Sequence, residues 1–209
     1  MTKTTRTLMM AALALGVGLA TVAQPARAFA ATGVATVQAF YDTLLNTMRN
    51  GARLGMQGRY AQLSPAIRQS FDIPFMTRLA VGPEWNSVSP AQQAQLTQAF
   101  ERYIAAVYAE RFDSYAGEQL KVIGEQASPA GTMITSQIIK STGEPVHINY
   151  LMHQNGGSWQ IADVYLNGTI SELATRRSEF ATILRTRGVD GLIAALNEKT
   201  VALGATRAS

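Results

Sequence analysis

Among the side chains that could do chemistry, the sequence offers two histidines, His147 and His153, and five aspartates, Asp42, Asp72, Asp113, Asp163 and Asp190. The histidines lie on a segment that reads as one strand, which separates them by roughly 20 Å at strand rise. They cannot share a metal ion unless that strand bends sharply, so both read as surface or edge residues. Asp163, inside an expected strand, is the one carboxylate that could serve as a general base if burial raised its pKa. The plainer reading has it facing solvent or an arginine. There is no cysteine, which removes thiolate nucleophiles and zinc–thiolate sites and is compatible with an oxidising compartment. Phosphate-loop, dinucleotide and nucleophile-elbow motifs are missing. No catalytic set, metal site or cofactor is expected. Asn167-Gly168-Thr169 matches a glycosylation sequon, which the bacterial type of the leader argues against.

The leader is "MTKTTRTLMMAALALGVGLATVAQPARA", residues 1–28. Lys3 and Arg6 form a basic head, Leu8 to Val22 an apolar run, and Ala26-Arg27-Ala28 a small-x-small cleavage site. No cysteine follows, so a lipoprotein anchor is not expected. Three of the 18 basic residues lie in the leader, leaving 15 basic against 14 acidic residues and a net charge of +1. That balance does not call for nucleic acid. Twelve of the 15 are arginines. Arg49, Arg53 and Arg59, and later Arg176, Arg177, Arg185 and Arg187, are either solvated helix faces or a contact surface for anionic head groups or an acidic partner.

These residues are positioned by a helical first part, a strand-rich middle and a helical end. Val34, Val37, Tyr41, Leu44, Leu45 and Met48 form one helical stripe, interrupted by Gly51 and Gly55, and a shorter helix follows near 56–67. Asp72 is placed as an N-cap with Pro74 in the first turn, Phe71 and Met76 as a hydrophobic staple, and Gly82-Pro83 as the stop. Ser89-Pro90-Ala91-Gln92 caps the strongest helix, whose stripe runs through Leu96, Phe100, Tyr103, Ile104, Val107, Tyr108 and Phe112. From 118 to 166 the period changes to two. Four strands fit, at 118–126, 132–140, 145–153 and 158–166, joined by short turns that force antiparallel neighbours. One face of the third carries Val146, Ile148, Tyr150 and Met152. Thr169 and Glu172 read as a second capping box, opening a helix that breaks at Gly188. Helices at both ends and strands in the middle make an α+β fold.

The run "SWQIADVYLNGTISELATRRSEFATILRTRGVDGLIAALNEK", residues 158–199, resembles the tail of the periplasmic phospholipid-binding proteins of the MlaC family. The matching positions are Trp159, Asp163, Val164, Gly168 and the run from Leu184 to Leu192. The stretches "FDIPFMTRLAVGPEW" and "SPAQQAQLTQAFERYIAAVYAERF" are also similar to that family, most closely to its hopanoid-associated branch, HpnM. The resemblance spans essentially all of the chain after the leader. It implies a twisted antiparallel sheet packed against helices from both chain ends, with an apolar cavity between them. It further implies a monomeric, non-catalytic periplasmic carrier, an auxiliary component of an ABC transporter. Such a carrier shuttles phospholipid, or a hopanoid, between an inner-membrane transporter complex and an outer-membrane lipid complex. On this view residues 29–209 form one lipid-binding domain.

A carrier needs an adaptable apolar wall. Burying an acyl chain of about 16 carbons is worth on the order of 12 kcal/mol, at roughly 0.8 kcal/mol per CH₂, and the membrane offers the same gain. Under the resemblance, Phe75, Met76 and Leu79 are expected to line the cavity, with Tyr103, Val107, Tyr150, Met152 and Val164 as further lining by face. Two other classes stay open: an exported enzyme on a similar sheet with Asp163 as base, and an interaction module without ligand, in which residues 70–85 are plain core.

Overall fold

The computed structural model describes residues 32–205; the expected leader lies outside them. Helix α1, Gly33–Arg49, starts where the Thr32 hydroxyl accepts the Ala35 N–H at 3.1 Å, and its stripe of Val37, Phe40, Tyr41, Leu44 and Met48 is buried. Helix α2, Gly51–Ser70, breaks at Gly55, whose φ of 59° is costly for residues with a Cβ. Helix α3, Ile73–Val81, is capped by Asp72, which accepts the Phe75 N–H at 3.0 Å. It ends at Gly82 and passes into a 3₁₀ turn, Gly82–Ser87. Helix α4, Pro90–Arg111, starts from the Ser89 cap.

Strands β1 (Gln119–Ser128), β2 (Gly131–Ile139), β3 (Pro145–Asn155) and β4 (Ser158–Leu166) follow. A fifth, β5, Ile170–Ser171, was not anticipated. The five pair antiparallel in chain order. The expected capping box at Thr169 does not form. Asn167 and Gly168 both take positive φ, and the tight turn lays Ile170 against Leu166 before a helix can begin. Ser171 caps instead, accepting the Ala174 N–H at 2.9 Å. Helix α5, Glu172–Ala202, then runs to a break at Gly188, φ 66°.

The layers are a sheet and a set of helices, an α+β arrangement. Helix α1 lies across β1 to β4, nearest β1, while α2, α3 and α5 approach β4. Helix α4 packs against α2, α3 and α5 but stands off the sheet. Four buried alanines, Ala99, Ala105, Ala106 and Ala109, let its neighbours come close. Edge-on aromatic contacts join the helices to one another, Phe40 to Phe71 at 5.1 Å, Phe40 to Tyr108 at 5.3 Å and Phe100 to Phe180 at 5.5 Å, and Tyr41 of α1 meets Tyr150 of β3 at 5.8 Å across the two layers. Each such pair is worth about 1 kcal/mol beyond its buried area.

One irregularity matters for the site. Between Leu151 and Met152 the register slips, so that Met152 faces Ile161 and Ala162 is an extra residue in β4. The bulge carries Ile161 onto the inner face beside Phe71, to which it bridges, while Val164 and Leu166 face inward farther along.

Candidate functional site: an apolar cavity between helix α4 and the sheet

The gap left by α4 standing off the sheet is a cavity of about 160 Å³. Helix α4 supplies Phe100, Tyr103, Ile104, Val107 and Tyr108, the second half of the stripe read from the sequence. The sheet supplies Ile138, Ile148, Tyr150, Val164 and Leu166. Phe71 and Met76 close it from the α3 side and Leu173 from α5. Among the described residues lining it, only three carry charge, Arg111, Glu172 and Arg176. None of the three is buried, so charge is confined to where the cavity meets solvent.

Of the eight residues expected on the wall, Met76, Tyr103, Val107, Tyr150 and Val164 face this cavity. Leu79 does not: it is 40% exposed. The buried face of α3 runs through Met76, Thr77 and Ala80, and Thr77 is accommodated because its hydroxyl donates to the Ile73 carbonyl at 2.7 Å. Phe75 lies in a separate shallow depression with Pro74, Arg78, Trp85 and His153, its ring 4.5 Å from the His153 ring. Met152 shares the face of Tyr150 but lies past the end of the cavity. There the start of α1 covers it, and a Cβ on Gly33 would sit 3.3 Å from its Cγ. The signal that could have added Phe71, Phe100, Ile104 and Tyr108 is the unbroken stripe of α4 together with the aromatic before the α3 cap.

His153 is not the free surface residue its position suggested. Its Nε2 is 2.8 Å from Asp72 Oδ2, which also accepts from Asn155 Nδ2 at 3.0 Å. Asp72 therefore caps α3 and ties it to the end of β3. His147 is exposed. Asp163 is buried and fully engaged: Oδ1 accepts from the backbone N–H of Val164 at 2.7 Å and of Leu173 at 3.1 Å, and Oδ2 accepts from the Ser171 hydroxyl at 2.6 Å. It fastens the start of α5 to β4. The arginines do not form one face. Arg59 donates to the carbonyls of Ala109 and Gly51 at 2.7 and 3.1 Å, tying α2 to α4. Arg176 pairs with Glu172 and Glu179 over the Tyr103 ring. Among the described residues no group of three His, Asp or Glu side chains could hold a metal ion, and no helix is long and apolar enough to cross a membrane.

Tyr108 and Tyr150 line the cavity, and Tyr41 packs edge-on against Tyr150 at 5.8 Å without lining it. The Tyr41 hydroxyl is 2.6 Å from Ser136 Oγ, which donates onward to the Ile148 carbonyl. Burial pushes the phenol of Tyr150 well above its ordinary value of 10.0, and it likewise raises Tyr108 and Tyr41. Well below pH 10 these phenols are neutral in both folded and unfolded chains, and their contribution to stability is fully present. Above pH 10 the unfolded chain loses protons that the folded chain retains, so stability must fall as pH rises. Alkaline titration followed at 295 nm and by circular dichroism should show these tyrosines ionising together with unfolding. Smooth ionisation near pH 10 with the fold intact would contradict their burial.

Residues 38–198 match the model of the MlaC protein family. Among solved structures, the chain is similar to the phospholipid-binding protein from Ralstonia solanacearum, determined in complex with a phospholipid. The superposition gives a TM-score of 0.73 at 24% identity and covers 83% of this chain and 99% of that one. That likeness establishes the fold, with its helices set against an open antiparallel sheet. The family match spans most of the sequence, and on that ground the chain belongs to the MlaC family.

Proposed function

We propose that this protein is a periplasmic carrier that holds the acyl chains of a phospholipid in the cavity between α4 and the sheet, without catalysis. The observation that carries the reading is the cavity itself: apolar, walled by Met76, Tyr103, Val107, Tyr150 and Val164, and charged only at its exposed side. Family membership supports it, as does the lipid in the Ralstonia solanacearum relative. Residues 1–28 direct export and are removed, and residues 29–209 act as one monomeric domain that exchanges lipid with complexes in the inner and outer membranes.

The contacts of Asp163 speak against the enzyme reading. A carboxylate already accepting three hydrogen bonds, two of them from backbone N–H groups, has a structural task. A volume of about 160 Å³ suits a benzene-sized guest, so loading an acyl chain requires the walls to part. The breaks in α2 at Gly55 and in α5 at Gly188 leave helical segments that can shift as units, and Met76 at the wall adapts readily.

The test is to purify the protein from the periplasm and record its native mass before and after organic extraction. A stoichiometric phospholipid is expected. A polycyclic triterpenoid in its place would move the ligand to a hopanoid. A mass that stays at that of the bare chain after incubation with phospholipid vesicles would end the carrier reading.

A further inference from the structure

We propose that the mouth of this cavity holds the phosphate of the bound lipid, gripped by the Arg111 guanidinium with the Tyr108 hydroxyl as a second donor. The proposal rests on the carrier reading and adds a recognition element to it. Of the three charged lining residues, two are already committed to each other. Arg176 bonds Glu172 at 3.3 Å and Glu179 at 3.1 Å, and its guanidinium lies over the Tyr103 ring. Arg111, exposed at the end of α4, makes no hydrogen bond or ion pair with any described residue. It therefore presents a planar set of five N–H donors, the geometry that grips a phosphate through two oxygens.

Tyr108 lies one turn earlier on the same helix. Its ring is fixed by Phe40 and Phe71 edge-on and by Phe112 stacked at 5.6 Å. Its hydroxyl also has no hydrogen-bond partner among the described residues, in a cavity whose wall is otherwise almost wholly apolar. Arg111 is near enough to act on that phenol electrostatically, as is Glu172. An anion set between Arg111 and Tyr108 would satisfy both groups, with its acyl chains pointing toward Val107 and Tyr150. Arg111 also has a duller role open to it, since a cation in the last turn of a helix complements the carbonyl end. That role would alter stability and leave head-group preference alone.

The experiment measures Kd for delipidated protein with short-chain phosphatidylglycerol and with the diacylglycerol of the same chains. Wild type is expected to favour the phosphate-bearing lipid about tenfold, the scale of one charge-assisted hydrogen-bonded contact. In Arg111→Ala that ratio should fall toward one, and in Tyr108→Phe it should fall part of the way, both with little change in melting temperature. Equal binding of the two lipids by wild type, or an undiminished ratio in Arg111→Ala, overturns the proposal. Binding of neither lipid by wild type overturns the carrier reading beneath it, a distinguishable result. Competition by millimolar inorganic phosphate with the same Arg111 dependence would mark a site for the free anion and overturn the assignment to lipid.

Discussion

Val107→Trp is expected to abolish lipid uptake and leave the fold in place. Val107 sits on the cavity side of α4, half-buried, between Ile104 and Tyr108. An indole there projects into space that is not filled by protein, so it avoids most of the roughly 1–3 kcal/mol that overpacking costs in a filled core. It takes up room that acyl carbons would use. Excluding about four methylenes forfeits roughly 3 kcal/mol at about 0.8 kcal/mol each, which is on the order of a hundredfold in affinity. Native mass spectrometry should then find the purified variant without lipid, with a melting temperature close to wild type. Full lipid occupancy in this variant would mean that the ligand sits elsewhere, and the depression around Phe75 and His153 would be the next place to look.

Asp163→Ala is expected to produce the largest loss of stability among single polar substitutions in this chain. The carboxylate is buried and holds the backbone of Val164 in β4, the backbone of Leu173 in α5 and the cap residue Ser171 at once. Removing it strands two buried N–H groups, each worth about 1–3 kcal/mol when left unpaired. A loss of roughly 3–5 kcal/mol in urea unfolding follows. Asp163→Asn keeps an acceptor for the N–H groups and should lose about half as much. Lipid binding should fail in the alanine variant through loosening of Leu173, which lines the cavity. The graded pair separates structure from chemistry. A catalytic base would be disabled equally by both changes with stability untouched, and that pattern would revive the enzyme reading.

The difference between what could be read and what could not is visible in particular residues. The stripe Leu96, Phe100, Tyr103, Ile104, Val107 and Tyr108 was legible because large apolar side chains repeat at helical spacing. The opposite face of α4 was not, because Ala105, Ala106 and Ala109 are as fully buried as any leucine yet carry little hydropathic signal. The residues expected on the wall by helix face divided for a related reason. Met76 and Leu79 lie three positions apart on α3. Periodicity cannot tell the edge of a buried stripe from its centre when a threonine satisfies its own hydroxyl inside. On the sheet, Tyr150 and Met152 share a face, and only the placement of α1 over Gly33 and Met152 ends the cavity between them.

The sequence by itself determined the order of the helices and of the four long strands, the caps at Asp72 and Ser89, and the breaks at Gly55, Gly82 and Gly188. Each of these depends on torsional preference or hydrogen bonding within a few residues. It also carried the run from Trp159 to Leu192 that marks the family. The tertiary structure alone decided that α4 stands off the sheet, that Asp163 is a clamp, that His153 meets Asp72 across 81 positions, and that Arg111 has no ion-pair partner among the described residues while Arg176 has two. These are meetings between residues far apart in the chain. They depend on how far neighbouring layers can approach, which is set by side-chain volumes summed over the whole core and by no local signal.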